Sequence, residues 1–214
     1  MVKILICRAK QRKRILKKVD QNTKKVALFP VILQVPFKKK QLKGKEQVAY
    51  LSRHARRALQ MSARKSGIFL RTLLKNENGA PLPVDGNFWS LTHKPEYVAG
   101  VVASTSTGID IERIRPCSAS LFRKVADDRE WGLVDSDPLE LFFRYWTSKE
   151  AVLKAAGIGL VGLSECRVVK VIDKKNLIIN FRNKNWQIEN FFFQGHIASV
   201  AHNLCRIKWT LSKA

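Results

Sequence analysis

Apolar residues recur at helical spacing in two long stretches and at alternating or continuous positions in several short ones. In residues 46–74, Ala49, Leu51, Ala55, Ala58, Leu59 and Ala63 form the apolar pattern, while Arg53, Arg56, Arg57 and Arg64 fall on other faces. That spacing predicts a mainly helical segment, ended or kinked at Gly67. Residues 139–156 predict either one long helix or a broken pair, with Leu141, Phe142, Tyr145, Trp146 and Leu153 as its apolar bulk and Gly157 as its stop. A shorter helix is predicted over residues 122–134, from Phe122, Val125, Trp131 and Val134. Strands are predicted over residues 2–7, 88–93, 97–103 and 109–112, and over 26–35, where Pro30 implies an edge position or a bulge. Two hairpins follow. Residues 166–172 and 177–181 turn at Asp173 to Asn176, and 186–193 and 196–201 turn at Gln194-Gly195. Residues 76–87, with Gly79, Pro81, Pro83 and Gly86, read as a loop, and the last residues contribute little.

Composition narrows the class. With 214 residues, 45% of them hydrophobic, the chain is long enough for one domain or two small lobes, and global disorder is excluded. No uninterrupted apolar run approaches the roughly 20 residues of a membrane span, so membrane insertion is not expected. Cys7, Cys117, Cys166 and Cys205 are scattered singly, without zinc spacing, which fits reduced thiols in the cytoplasm.

Charge changes the picture more. There are 40 basic and 17 acidic residues, and residues 1–108 hold 23 of the basic but only 5 of the acidic ones. Such a field favours polyanionic partners: nucleic acid, an acidic protein or a ligand with several phosphates. Lys38, Lys39, Lys40, Lys43 and Lys45 read as a charged loop, either a nucleic-acid contact or a solubilising surface. Residues 10–18 are a solvated helix or a loop of the same kind.

Two short stretches carry candidate chemistry. On a strand, Asp110 and Glu112 point to one face and Ile109 and Ile111 to the other. Paired carboxylates on one face are either wet or bound to a cation. On a helix, Glu150 and Lys154 sit one turn apart, which is either a surface ion pair or part of a site. Asp110, Glu112 and Glu150 together are hard oxygen donors suited to Mg²⁺, which takes its remaining ligands from water and phosphate. With a pyrophosphate present, His93 would donate to a phosphate oxygen and Lys154 would neutralise developing charge. Glu150, directly or through water, would take a proton from an incoming hydroxyl. No P-loop, dinucleotide fingerprint or serine elbow is present.

The order Gly108-Ile109-Asp110-Ile111-Glu112, then Trp146-Thr147-Ser148-Lys149-Glu150-Ala151-Val152-Leu153-Lys154, resembles the 4'-phosphopantetheinyl transferases of the two-lobed, surfactin-synthetase-activating type. Phe88 to His93 resembles the family's apolar-x-Leu-Ser-His segment and Gly79-Ala80-Pro81 its Gly-Lys-Pro. Glu130 and Leu133 fit the helix between the two motifs. The resemblance covers residues 79–160 well and residues 1–60 weakly.

What it implies is a fold of two similar α+β lobes related by a pseudo-twofold, here residues 1–104 and 105–214. The implied reaction transfers the phosphopantetheine arm of coenzyme A to a serine of an acyl or peptidyl carrier protein, releasing 3',5'-adenosine diphosphate. Asp110, Glu112 and Glu150 would hold Mg²⁺ or Mn²⁺. Asp110, Glu150 and Lys154 would be catalytic, with Glu150 the base and Lys154 on the attacked phosphate. His93, Thr92, Lys75, Arg53, Arg57 and Lys154 would bind coenzyme A, and Arg56 and Lys94 would lie on the ligand or carrier side. Lys149 holds the fold or faces the carrier. A monomer is expected, with an acidic carrier steered by the basic face. Ala80 stands where the family usually has Lys, so one charge-assisted contact is missing or Lys75, Arg71 or another basic residue replaces it, and Thr92 replaces the usual Ser. The alternatives are a basic nucleic-acid-binding protein, or a degenerate transferase that binds carrier or coenzyme A without catalysis.

Overall fold

Two helices, each laid across its own sheet, organise the chain. The computed structural model describes residues 27–203 and 205–213. The strand expected over residues 2–7 and the basic stretch 10–18 lie outside them.

The first lobe begins with β1 (Ala27–Leu28) and β2 (Val31–Gln34). A short helix α1 (Phe37–Lys40) falls where the lysine tract predicted a loop, and the long helix α2 (Gly44–Ser66) follows. Leu51, Ala55, Ala58, Leu59, Ser62 and Ala63 are the buried stripe of α2. Gly67, at φ 66°, caps it in the left-handed conformation that glycine adopts without a Cβ penalty. The helix therefore ends there, and residues 68–74 are not helical as expected. Strands β3 (Phe88–His93) and β4 (Tyr97–Ala103) complete the lobe. Its strands run in the order β2-β4-β3, and a strand from the tail adds to the outer side of β2. Pro30 falls in the break between β1 and β2, so β2 runs inside the sheet rather than at its edge.

The second lobe opens with β5 (Gly108–Arg113). Residues 122–134 do not form one helix. They contribute to α3 (Ala119–Val125) and α4 (Asp128–Trp131), because Asp127 starts a new helix with a capping box: Glu130 N donates to Asp127 Oδ1 and Asp127 N to Glu130 Oε2. Helix α5 (Pro138–Ala156) is continuous, started by Asp137 as N-cap with Pro138 behind it and stopped by Gly157 at φ 70°. A 3₁₀ turn (Leu160–Glu165) leads to β6 (Cys166–Val171), β7 (Asn176–Phe181), β8 (Lys184–Phe193) and β9 (His196–His202), in sheet order β5-β9-β8-β7-β6.

The lobes repeat one plan. In the first, β2-α2-β3-β4 gives the sheet order β2-β4-β3, and in the second, β5-α5-β8-β9 gives β5-β9-β8. Each central strand, β4 and β9, is buried at all seven positions because a helix covers one face and the other lobe's sheet covers the other. Tyr97, Ala99 and Val101 meet Ile109, Ile111, Ala198 and Val200 between the sheets. Val98 and Val102 turn instead toward α2. Fully burying each Val or Ile is worth about 1.5–3 kcal/mol. The tail contributes more than expected: β10 (Arg206–Ile207) pairs with β1, and β11 (Thr210–Ser212) runs parallel to β2 and returns the chain to the first sheet.

Candidate active site

The two lobes meet where β3, the edge of the first sheet, passes β5, the edge of the second. Ser90 Oγ accepts from Ile109 N at 3.1 Å across this seam. Alternation along β5 sends Ile109 and Ile111 into the core between the sheets and turns Gly108, Asp110 and Glu112 toward α5. Gly108 permits the approach: a Cβ there would collide with the carbonyl oxygen of Ala151 and the backbone nitrogen of Ala155. The helix runs antiparallel to the strand. Trp146 therefore reaches Glu112, and Lys154, two turns later, reaches Asp110.

The orientation of α5 is fixed by a buried polar network that sequence reading missed. Arg144 Nε donates to Asn190 Oδ1 at 2.9 Å, Asn190 Nδ2 donates to Ser148 Oγ and Ser199 Oγ, and Thr147 bonds Ser199 at 2.6 Å. The polar spacing of Arg144, Thr147 and Ser148 was the available signal, hidden because its partners lie more than 40 residues away. Lys149 holds the fold. Its Nζ is 2.6 Å from both Glu130 Oε1 and the Val125 carbonyl, deep in the second lobe.

Asp110 is buried, with 1% of its surface exposed. Its Oδ1 accepts from Lys154 Nζ at 2.6 Å and from Thr92 Oγ1 at 2.9 Å. Its Oδ2 is buried without a hydrogen-bond partner. Glu112 Oε1 accepts from Lys94 Nζ at 2.6 Å and from Trp146 Nε1 at 3.2 Å. Glu150 lies 3.7 Å from Lys154, and burial, aided by the charge of Asp110, pushes its pKa up to about 7. Burial opposes the charge on Lys94, but the bond to Glu112 and the fields of Asp110, Glu112 and Glu150 outweigh it and raise its pKa. His93 is held below its usual value by burial and then by Lys154 and Lys94.

A cavity of about 240 Å³ opens beside Lys154. The Asn78 to Pro81 loop, the Gly157 to Gly159 helix end and Lys75 line it. Ala80 thus faces the same space as Lys75. Arg53 and Arg57 lie elsewhere, in a surface depression on α2 with Arg56 and Arg64. Thr92 spends its hydroxyl on Asp110 rather than on the open cavity.

Among the described residues, no three His, Cys, Asp or Glu side chains are gathered as a ready metal site. The donor chemistry nevertheless fits a hard cation. Asp110 Oδ2 is an orphaned buried carboxylate oxygen, which a divalent ion would satisfy, and Glu150 would shed its unfavourable interaction with Asp110.

Residues 106–205 match the family model of the 4'-phosphopantetheinyl transferase superfamily. The match spans slightly less than half of the chain and marks this segment as similar to that superfamily. The 4'-phosphopantetheinyl transferase HetI of Nostoc sp. is 40% identical over 90 residues, 39% of this chain and 38% of HetI. A putative 4'-phosphopantetheinyl transferase of Haemophilus influenzae is 34% identical over 115 residues, 49% of this chain and 48% of its own length. The L-aminoadipate-semialdehyde dehydrogenase-phosphopantetheinyl transferase of Schizosaccharomyces pombe is 36% identical over 80 residues, 34% of this chain and 31% of the relative. The chain thus matches less than half the length of each curated relative. Asp110, Glu112, Glu150 and Lys154 all fall within the superfamily segment, whereas Lys75, Thr92, His93 and Lys94 come to the site from outside it.

Proposed function

We propose that the protein transfers the 4'-phosphopantetheine arm of coenzyme A to a serine hydroxyl of an acidic acyl or peptidyl carrier protein. The observation that carries this reading is the convergence of Asp110, Glu112, Glu150 and Lys154 at the seam between the lobes, beside a cavity also lined by Lys75. In this reading the lobes divide near residue 104 and the chain is of the two-lobed, surfactin-synthetase-activating type.

Coenzyme A would lie in the seam, its phosphates toward Lys75, His93 and Lys154. The carrier serine oxygen attacks the β-phosphorus. A new serine–phosphate bond forms as the P–O bond to the 5'-phosphate breaks, and 3',5'-adenosine diphosphate leaves. Glu150, with its pKa near 7, is suited to take the serine proton. Lys154 stabilises the charge that develops on the phosphate oxygens. Thr92 and Trp146 orient Asp110 and Glu112. Asp110 and Glu150, with Glu112, would hold Mg²⁺ (or Mn²⁺), which when bound neutralises the pyrophosphate.

The test is the intact mass of an unmodified acyl carrier protein after incubation with coenzyme A, Mg²⁺ and the protein. A gain of one phosphopantetheine arm, lost on chelation and lost in Glu150→Gln, supports the reading. No gain with several carriers and no coenzyme A binding defeats it. The arginines of α2 favour a second reading, nucleic-acid binding: Arg53, Arg56, Arg57 and Arg64 are exposed on one helix that bears Glu46 as its single acidic residue. Tight, salt-steep RNA or DNA binding without transfer would select it.

A further inference from the structure

Glu112 is occupied before any metal arrives. Its Oε1 sits 2.6 Å from Lys94 Nζ, and the Trp146 indole donates to the same oxygen at 3.2 Å. Lys94 stands on the turn just after β3, in the first lobe, while Glu112 and Trp146 belong to the second. Lys154 is likewise held on Asp110 from α5. Two ammonium groups therefore balance three carboxylates, and the remaining deficit is concentrated at the orphaned Asp110 Oδ2 and at Glu150.

A divalent cation entering at Asp110 Oδ2 and Glu150 meets that deficit, but at Glu112 it meets a positive charge already in place. Like charges a few ångströms apart in a partly dry site repel strongly. We propose that Lys94 is a resident counter-ion that competes with the divalent metal for Glu112, keeping the two lobes paired in the metal-free protein and weakening metal affinity. The inference rests on the metal-dependent reading above and deepens it. Lys94 is a positioning residue here, acting through Glu112.

The geometry separates two effects of removing the charge. Lys94→Met keeps most of the apolar stem, and Lys94→Gln keeps a hydrogen-bond donor for Glu112 without the charge, so it serves if the methionine variant folds poorly. Mn²⁺ binding is measured by the loss of the free-ion electron paramagnetic resonance signal, on the metal-stripped protein without coenzyme A or carrier. Lys94→Met or Lys94→Gln binds Mn²⁺ roughly tenfold tighter than the wild type, the effect of removing about one opposing charge. Lys94→Arg binds as the wild type does. In a Glu112→Gln background the same substitutions change affinity little, because the competed carboxylate is gone. Thermal melting in chelator falls for Lys94→Met and recovers on adding Mn²⁺.

Measurable Mn²⁺ binding by the wild type, with equal or weaker binding by both uncharged variants, overturns the proposal while leaving the metal reading intact. Absence of Mn²⁺ binding by every variant at millimolar ion overturns both. The transfer assay separates that case from a wrong reaction class, since transfer persisting under chelation rejects the metal and transfer absent throughout rejects the activity.

Discussion

Lys149 and His202 show how single buried groups govern this molecule. Lys149 is 1% exposed, and desolvation lowers its pKa against the opposing pull of Glu130. Its partner Glu130 also accepts from Val168 N at 2.8 Å, so the carboxylate ties α4 to β6 as well as to α5. Lys149→Met leaves that buried carboxylate with only the half-exposed Arg167, 3.4 Å away, as a cationic partner, and should destabilise the protein by about 3–5 kcal/mol. Denaturant unfolding measures this. The double variant Lys149→Met/Glu130→Gln should recover part of the loss, and full wild-type stability in the single variant would contradict the role. His202 is held neutral by burial, its pKa lowered to about 4, and its Nδ1 accepts from Cys205 N at 3.4 Å. The unfolded imidazole protonates near 6.5, so the unfolded chain binds the extra proton first as pH falls. Its contribution is intact above about pH 6.5 and lost as pH falls toward 4, about 3 kcal/mol in all. Melting curves between pH 7 and 4.5 should be shallower in pH for His202→Gln than for the wild type; parallel curves would show that another group carries the dependence. At this scale, the alternation of Asp110 and Glu112 was legible from residue spacing alone. That they face a helix instead of solvent was not, because it depends on what packs against β5.

At the scale of elements, that packing turns on Gly108. The periodicity of apolar residues marked both ends of the second long helix, the start of the first and most strands within a residue or two, since each has a strong local pattern. It failed where a local cap overrode the pattern, as at Asp127, and where the helix stopped at a glycine ahead of an apolar run, as at Gly67. Nor does it say how close two elements lie. Gly108→Ala would press a methyl group against the backbone of Ala151 and Ala155, forcing α5 away from β5. Lys154 and Trp146 would then lose their short contacts to Asp110 and Glu112. Overpacking of this kind costs about 1–3 kcal/mol. We expect Gly108→Ala to lose transfer at least about a hundredfold, since displacement of about 1 Å can cost that much, while melting only a few degrees lower. The carrier mass assay and a thermal scan check both. Retained transfer would show that the site tolerates a wider strand–helix gap.

At the scale of the whole molecule, the lobes are joined by the core between their sheets, by the seam of β3 and β5, and by the tail. The tail alternates Cys205, Ile207, Trp209 and Leu211 with polar residues, a strand pattern too short to stand out, and a parallel pairing with a strand about 180 residues earlier leaves no local trace in sequence. The tail is nonetheless well anchored. Trp209 stacks on Phe191 with ring centroids 5.3 Å apart and donates to Glu189 at 2.9 Å, while Lys208 N donates to Leu28 O and Thr210 N to Pro30 O. These contacts bind the start of the first lobe to β8 of the second. Removing residues 208–214 would uncover β2 along the side that β11 pairs, leaving its backbone groups to water. The seam at β3 and β5 lies on the far side of β4 from this edge. Deletion should therefore loosen the first lobe before the second. Amide exchange in Val31–Gln34 should accelerate sharply while β7 and β8 stay protected, and the melting transition should broaden as the lobes uncouple. Uniform acceleration in both sheets would instead mean that the two lobes unfold as one unit, with the tail contributing only to their common stability.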